Sequence, residues 1–114
     1  MSNPVIWHNP RCSKSRETLK LLEDKGYTPE VRLYLQNPPD AEELERAAAE
    51  LGVGPLAMIR RKEEPAKALS EHTPQDMLFA AMAADPIIIE RPIVFFNGKA
   101  AIGRPPENVL SILD

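Results

Sequence analysis

The sequence predicts an α/β domain built on a mixed four-stranded sheet with helices packed on it. Three observations lead there. Short apolar runs are bounded by Asn, Pro and Gly; helical apolar spacing fills the intervals; and the order runs β-α-β, several helices, then β-β-α. The 114 residues suffice for one modest core, and 43% hydrophobic against 27% charged content is ordinary for a soluble globular protein.

Pro4-Val5-Ile6-Trp7-His8 reads as a short, largely buried strand that stops at the turn Asn9-Pro10. From Ser13 to Lys25 the pattern is helical, with Leu19, Leu21 and Leu22 on one broad face, and Gly26 supplies a left-handed stop. Glu30 to Leu35 alternates, so a second strand is expected with Val31, Leu33 and Leu35 on one side. Asn37-Pro38-Pro39 breaks it. Asp40 then caps a helix, and Glu43 completes a capping box. Leu44, Ala47, Ala48 and Leu51 form the stripe of that helix, and Gly52 ends it.

Residues 54–69 are mixed, with short helical turns expected around Leu56, Met58 and Ile59. Thr73-Pro74 opens another helix, with Pro at its first position and Met77, Leu78, Ala81 and Met82 as its apolar face; Asp85-Pro86 closes it. Ile93–Phe96 and Ala100–Ile102 fit two strands joined by Asn97-Gly98, a strong hairpin signal. A last helix follows Pro105-Pro106 and carries Val109, Leu110 and Leu113. This is the layout of a thioredoxin-like domain with a helical insertion. No repeat, low-complexity tract or linker divides it, so residues 1–114 are expected to form a single domain.

Net charge is −3, and it is spread evenly: seven basic and nine acidic residues up to position 57, seven and eight beyond it. That balance argues against a nucleic-acid footprint or a polybasic membrane tail. No apolar run is long enough to span a bilayer, and the N-terminus lacks the basic start and apolar core of a signal peptide. A cytoplasmic location is expected. With one cysteine, no intrachain disulfide and no Cys-rich metal site can form.

That cysteine, Cys12, falls between a strand end and a helix start, in His8-Asn9-Pro10-Arg11-Cys12-Ser13-Lys14-Ser15-Arg16. A thiol there faces unpaired backbone N–H groups and the positive end of the helix dipole. Arg11, Lys14 and Arg16 add positive charge, and no acid occurs in the first sixteen residues. All of this favours the thiolate and a reactive centre over a small buried hydrophobe. His8 reads either as a base or as a structural hydrogen-bonder closing its strand. Ser15 reads either as a donor to the thiolate or as an ordinary first-turn serine. A tyrosine-phosphatase loop needs a longer Cys-to-Arg interval than the three residues between Cys12 and Arg16.

Two Arg-Pro pairs, Arg91-Pro92 and Arg104-Pro105, punctuate the second half, and Arg60-Arg61 follows the apolar Met58-Ile59. Proline holds the preceding arginine in extended backbone. Guanidinium forks suit tetrahedral oxyanions, although each arginine alone also reads as a solvated surface charge.

The segment H-N-P-R-C-S-K-S-R at 8–16 resembles the active-site loop of the glutaredoxin-coupled arsenate reductases. So do L-Y-L-Q-N-P-P at 33–39, I-R-R-K-E-E-P at 59–65, E-R-P-I-V at 90–94 and G-R-P-P-E at 103–107, in the order that the family has them. The resemblance implies Cys12 as nucleophile, Arg60, Arg91 and Arg104 as oxyanion ligands, and His8 and Ser15 beside the thiol. It also implies a cis peptide at Pro92. Some members of that family continue beyond the last helix, where this sequence ends at Asp114.

The implied partners are arsenate, glutathione as co-substrate, and glutaredoxin, with no tightly bound cofactor, metal, nucleic acid or membrane. The implied route runs through a thiol-bound arsenate ester, attack by glutathione, reduction of arsenic, and clearance of the mixed disulfide by glutaredoxin. Two rival readings share the fold. One is a glutathione-dependent thiol oxidoreductase that does not act on arsenate. The other is a regulator of the Spx type that contacts RNA polymerase, whose Cys-x-x-Cys switch would have Ser15 in place of its second cysteine.

Overall fold

Residues 3–113 are described by a computed structural model. The chain divides into two compact units, one running to Tyr34 and resuming at Arg91, the other being Leu35–Glu90.

The first unit holds the sheet. Its strands are β1 (Val5–Trp7), β2 (Glu30–Arg32), β3 (Ile93–Phe96) and β4 (Lys99–Ile102), in the spatial order β2-β1-β3-β4. β1 and β2 are parallel; β1/β3 and β3/β4 are antiparallel. The parallel pair is joined by helix α1 (Ser13–Asp24), because parallel neighbours need a crossover. The antiparallel pair needs only Asn97-Gly98, both at positive φ (52° and 77°), which are the signs a tight type I′ hairpin turn demands. The mixed four-stranded sheet is therefore as expected.

Strand alternation sorts the core. Ile6 and Val94 are register partners, fully buried, and cluster with Leu22 of α1 and with Val109, Ile112 and Leu113. Trp7 and Phe95 lie on the other face, their rings 4.8 Å apart, with the Arg32 guanidinium 5.5 Å from the indole. Each fully buried aliphatic side chain contributes about 1.5–3 kcal/mol.

Two expectations in this unit are corrected. β2 stops at Arg32, and Val31 and Leu35 are exposed (42% and 37%), whereas Tyr34 is fully buried. β2 is a sheet edge paired with β1 alone, and the chain turns at 34–36, so alternation there does not report a buried face. The last helix is a 3-10 segment, Pro106–Ile112, which buries Pro106, Val109 and Ile112 and leaves Leu110 half-buried. The prolines suit a helix start, and bonds of i→i+3 spacing, Asn108 N–H to Pro105 O (3.0 Å) and Leu113 N–H to Leu110 O (3.3 Å), bound the tighter winding.

The second unit is helical, with one isolated bridge. In α2 (Ala41–Leu51) the capping box is present: Glu43 N–H donates to Asp40 Oδ1 (2.8 Å) and Asp40 N–H to Glu43 Oε1 (3.1 Å). Leu44, Ala47 and Ala48 are buried, and Gly52 ends the helix at φ 72°. Two 3-10 turns, Pro55–Met58 and Glu64–Ala66, replace the mixed stretch. α3 (Gln75–Ala84) has Pro74 at its N-cap, one position before the one expected. It buries Leu78, Phe79 and Met82, while Met77 is 57% exposed. A helix with apolar residues nearly all round does not mark its buried stripe in sequence; its neighbours choose it. Ile59 bridges Ile89, flanked by Arg60 N–H to Ile88 O and Glu90 N–H to Met58 O, both 2.7 Å. Among the described residues no helix is long and apolar enough to cross a membrane.

Leu22→Ala is expected to cost about 2–5 kcal/mol in urea unfolding, because it opens a cavity under the sheet. Asp40→Ala is expected to cost about 1 kcal/mol through the lost cap. Equal costs for the two would contradict this ranking.

Candidate active site

Cys12 is the N-cap of α1, in extended backbone (φ −95°, ψ 122°), and is partly exposed. The turn before it is held by three bonds. Cys12 N–H donates to Asn9 O (3.0 Å), Arg11 N–H to Asn9 Oδ1 (3.0 Å), and the Arg16 side chain to Pro10 O (2.8 Å). Arg16 N–H then donates to Cys12 O (3.0 Å), and the helix begins.

Burial alone would push the Cys12 thiol up. That effect is outweighed by the Ser15 and Lys14 backbone N–H groups and by Arg104, which holds the thiol below its ordinary range both as a donor and as a charge. The sulfur makes no regular side-chain cap to α1. Sulfur accepts weakly while protonated, so these donors favour the ionised form in particular. Arg104 Nη1 lies 3.7 Å from Cys12 Sγ and 3.2 Å from Arg91 O. The shift favours the thiolate at neutral pH relative to a free cysteine.

The basic residues of the loop act differently from their expected part. The Lys14 ammonium lies 3.9 Å from Glu17, and Arg16 is turned to Pro10 O; Arg11 is exposed. The charge that bears on the sulfur comes from Arg104, 92 residues away in sequence.

His8 and Ser15 are both buried and meet directly, Nδ1 to Oγ at 2.7 Å. Ser15 Oγ also accepts the Asn9 N–H (3.0 Å), so the hydroxyl is engaged by His8 and by the loop backbone. Burial first, and then the Arg16 charge, hold the His8 imidazole below its usual range, and it is neutral at pH 7. Because the unfolded chain binds that proton more readily, protonating the buried His8 costs the fold stability, which is intact above the free histidine value of about 6.5 and is lost as pH falls from there through the lowered folded-state value.

Arg91 is buried (8% exposed) and opens the approach to β3. Both Arg-Pro bonds are cis: Arg91-Pro92, as the resemblance implied, and Arg104-Pro105, which nothing in the sequence announced. Arg60 belongs to the second unit, where its Nε lies 3.7 Å from Glu63, and Arg61 is exposed. The first unit thus gathers Cys12, Ser15, His8, Arg91 and Arg104 around the start of α1. Sequence reasoning passed over Asn9 and Gly103; the Asn-Pro dipeptide signalled the first as a turn former, and only the repeated Arg-Pro context hinted at the second. Among the described residues no three His, Cys, Asp or Glu side chains come together as a metal site.

The ArsC family model matches residues 7–112. The chain belongs to the ArsC family. It is 49% identical over 113 residues to a Haemophilus influenzae protein named arsenate reductase, covering 96% of this chain and 97% of that one. It is also 49% identical, over 95% and 94% of the two chains, to the Escherichia coli protein YfgD, which is described as uncharacterized. Among solved structures, the arsenate reductase from Vibrio cholerae superposes with a TM-score of 0.93 at 54% identity, over 97% of this chain and 98% of that one. The fold is accordingly the thioredoxin-like fold of ArsC proteins, and the family match includes the Cys12 loop and both Arg-Pro segments.

Iodoacetamide alkylation of Cys12, followed against pH, is expected to show a midpoint below that of a free cysteine. Arg104→Ala should raise that midpoint and slow alkylation at neutral pH roughly threefold or more, whereas Arg11→Ala should leave it in place. Equal responses from the two variants would return the effect to the loop charges.

Proposed function

We propose that this chain reduces arsenate to arsenite, with Cys12 as the nucleophile, Arg60, Arg91 and Arg104 as oxyanion ligands, glutathione as the second thiol, and glutaredoxin as the protein that regenerates Cys12. The observation that carries the reading is the guanidinium of Arg104 set 3.7 Å from a thiol at the N-terminus of α1. Arg91 is supported by its backbone contact with Arg104, and Arg60 by its motif alone. The relatives named as arsenate reductases, aligned over nearly the whole chain, support the substrate.

Arsenate is mostly dianionic at neutral pH. Each charge brought to about 4 Å from a thiolate costs about 4 kcal/mol at an effective dielectric near 20. Guanidinium groups and the end of a helix dipole offset that repulsion where it develops. The thiolate forms an S–As bond as one arsenate oxygen leaves as water. Glutathione then joins Cys12 in a disulfide; the electron pair goes to arsenic, which departs as arsenite. Two thiols and arsenate give one disulfide, arsenite and water, so the electrons balance. With one cysteine in the chain, the second thiol must come from outside. A basic surround suits the carboxylates of glutathione. Glutaredoxin then exchanges with the mixed disulfide and frees Cys12.

Arsenite formation, assayed with glutathione and with or without glutaredoxin, should be sustained only with both. Cys12→Ser should abolish it with the fold intact, and Arg60→Ala or Arg91→Ala should lower kcat/KM at least about tenfold, near 1.4 kcal/mol, against a mild effect of Arg61→Ala. Sustained turnover with thioredoxin and no small thiol would contradict the route.

A further inference from the structure

Thr18 lies six residues after Cys12 on α1 and is fully buried, though neither the hydrophobic pattern nor the charge pattern calls for a hydroxyl there. Its Oγ1 donates to Lys14 O at 2.8 Å, and Gly103 O stands 3.5 Å away, close enough for a minor share of the same proton. Lys14 is one of the two residues whose backbone N–H acts on the Cys12 sulfur. The hydroxyl therefore touches the turn that carries the thiol and also the strand end opposite it.

Gly103 explains how closely the two approach. It is buried between the end of β4 and Arg104, and its N–H donates to Pro92 O (2.9 Å). A Cβ built on it would stand 2.5 Å from Thr18 Oγ1, 2.8 Å from Pro92 Cγ and 3.1 Å from Thr18 Cγ2. Unlike Gly26, Gly52 and Gly98, it is not at positive φ. Glycine is needed there for space, not for backbone freedom. Three segments meet at this point: α1, the Arg91-Pro92 peptide and the residue before Arg104. Each adjoins a group of the site, namely the Lys14 N–H, the Arg91 carbonyl and the Arg104 guanidinium.

We propose that Thr18 and Gly103 form a positioning clamp that sets the Arg104 guanidinium against the Cys12 sulfur. The clamp rests on the reading of Cys12 and Arg104 as a functional pair. Neither residue touches substrate; both act through where Arg104 is held. The alternative is a helix threonine bonded to its own i−4 carbonyl beside a glycine that merely permits packing. The two differ in what a small change does. A packing role predicts lost stability with an unchanged thiol, whereas a positioning role predicts a changed thiol that depends on Arg104.

Gly103→Ala, Thr18→Val and Thr18→Ser, each with and without Arg104→Ala, separate these by thermal melting and by the pH profile of Cys12 alkylation. Gly103→Ala should move the alkylation midpoint up toward that of Arg104→Ala, with roughly fivefold slower reaction near neutral pH, the factor that matches one hydrogen bond's net contribution. Thr18→Val should move it the same way by less, and Thr18→Ser, which keeps the hydroxyl, should restore the wild-type profile. In the Arg104→Ala background none of the three should shift it further. An unmoved midpoint in folded Gly103→Ala and Thr18→Val overturns the clamp, as does a shift of equal size when Arg104 is absent. Thr18→Val, close to the wild-type shape, carries the test if Gly103→Ala does not fold. Alkylation needs no arsenate, so failure of the clamp is distinguishable from failure of arsenate reduction.

Discussion

A thiolate that must meet an oxyanion needs positive charge close by, and this chain finds it far away in sequence. The contact between Arg104 and Cys12 joins residues 92 positions apart, and the sheet is what makes it. β1 delivers the chain to the start of α1, while the β3–β4 hairpin, paired with β1 through β3, returns the chain to Arg104. The register of Ile6 with Val94 and the buried Leu22 beneath them are therefore catalytic requirements at one remove. Slip the strand by one residue and both the core face and the arginine are lost.

The local chemistry depends on how donors are shared. Two backbone N–H groups and one guanidinium bear on the sulfur, while the Ser15 hydroxyl, near enough in sequence to compete, is engaged by a neutral His8. Ser15 thus contributes its backbone donor and keeps its side chain in the buried pair that closes the loop. Asn9 completes that pair by giving its N–H to Ser15 while its side chain holds Arg11 N–H. A partly exposed thiol on a loop this heavily bonded is accessible without being loosely held.

Much of this was legible in the sequence, for identifiable reasons. Asn97-Gly98, the Asp40–Glu43 capping box and the stops at Gly26 and Gly52 are local signals whose physics is complete within a few residues, and each is found as read. The position of Cys12 at a helix start was equally local. The exposed Val31 and Leu35 and the exposed Met77 were not legible, because strand alternation and helix periodicity say which residues share a face but not which face finds a partner. The loop charges misled for a related reason: Lys14 and Arg16 are close to Cys12 in sequence, yet their side chains are turned to Glu17 and Pro10. Thr18 and Gly103 were not legible as a pair, because their contact exists only once α1 and the hairpin end are brought together.

The central claim is that the Cys12 sulfur attacks the oxyanion, and X-ray absorption at the arsenic edge reads it directly. Protein mixed with equimolar arsenate, without glutathione, should show a sulfur neighbour on arsenic that still carries its oxygens, and Cys12→Ser should show oxygen neighbours alone. Arsenic bound to the wild-type protein through oxygen only would contradict the account.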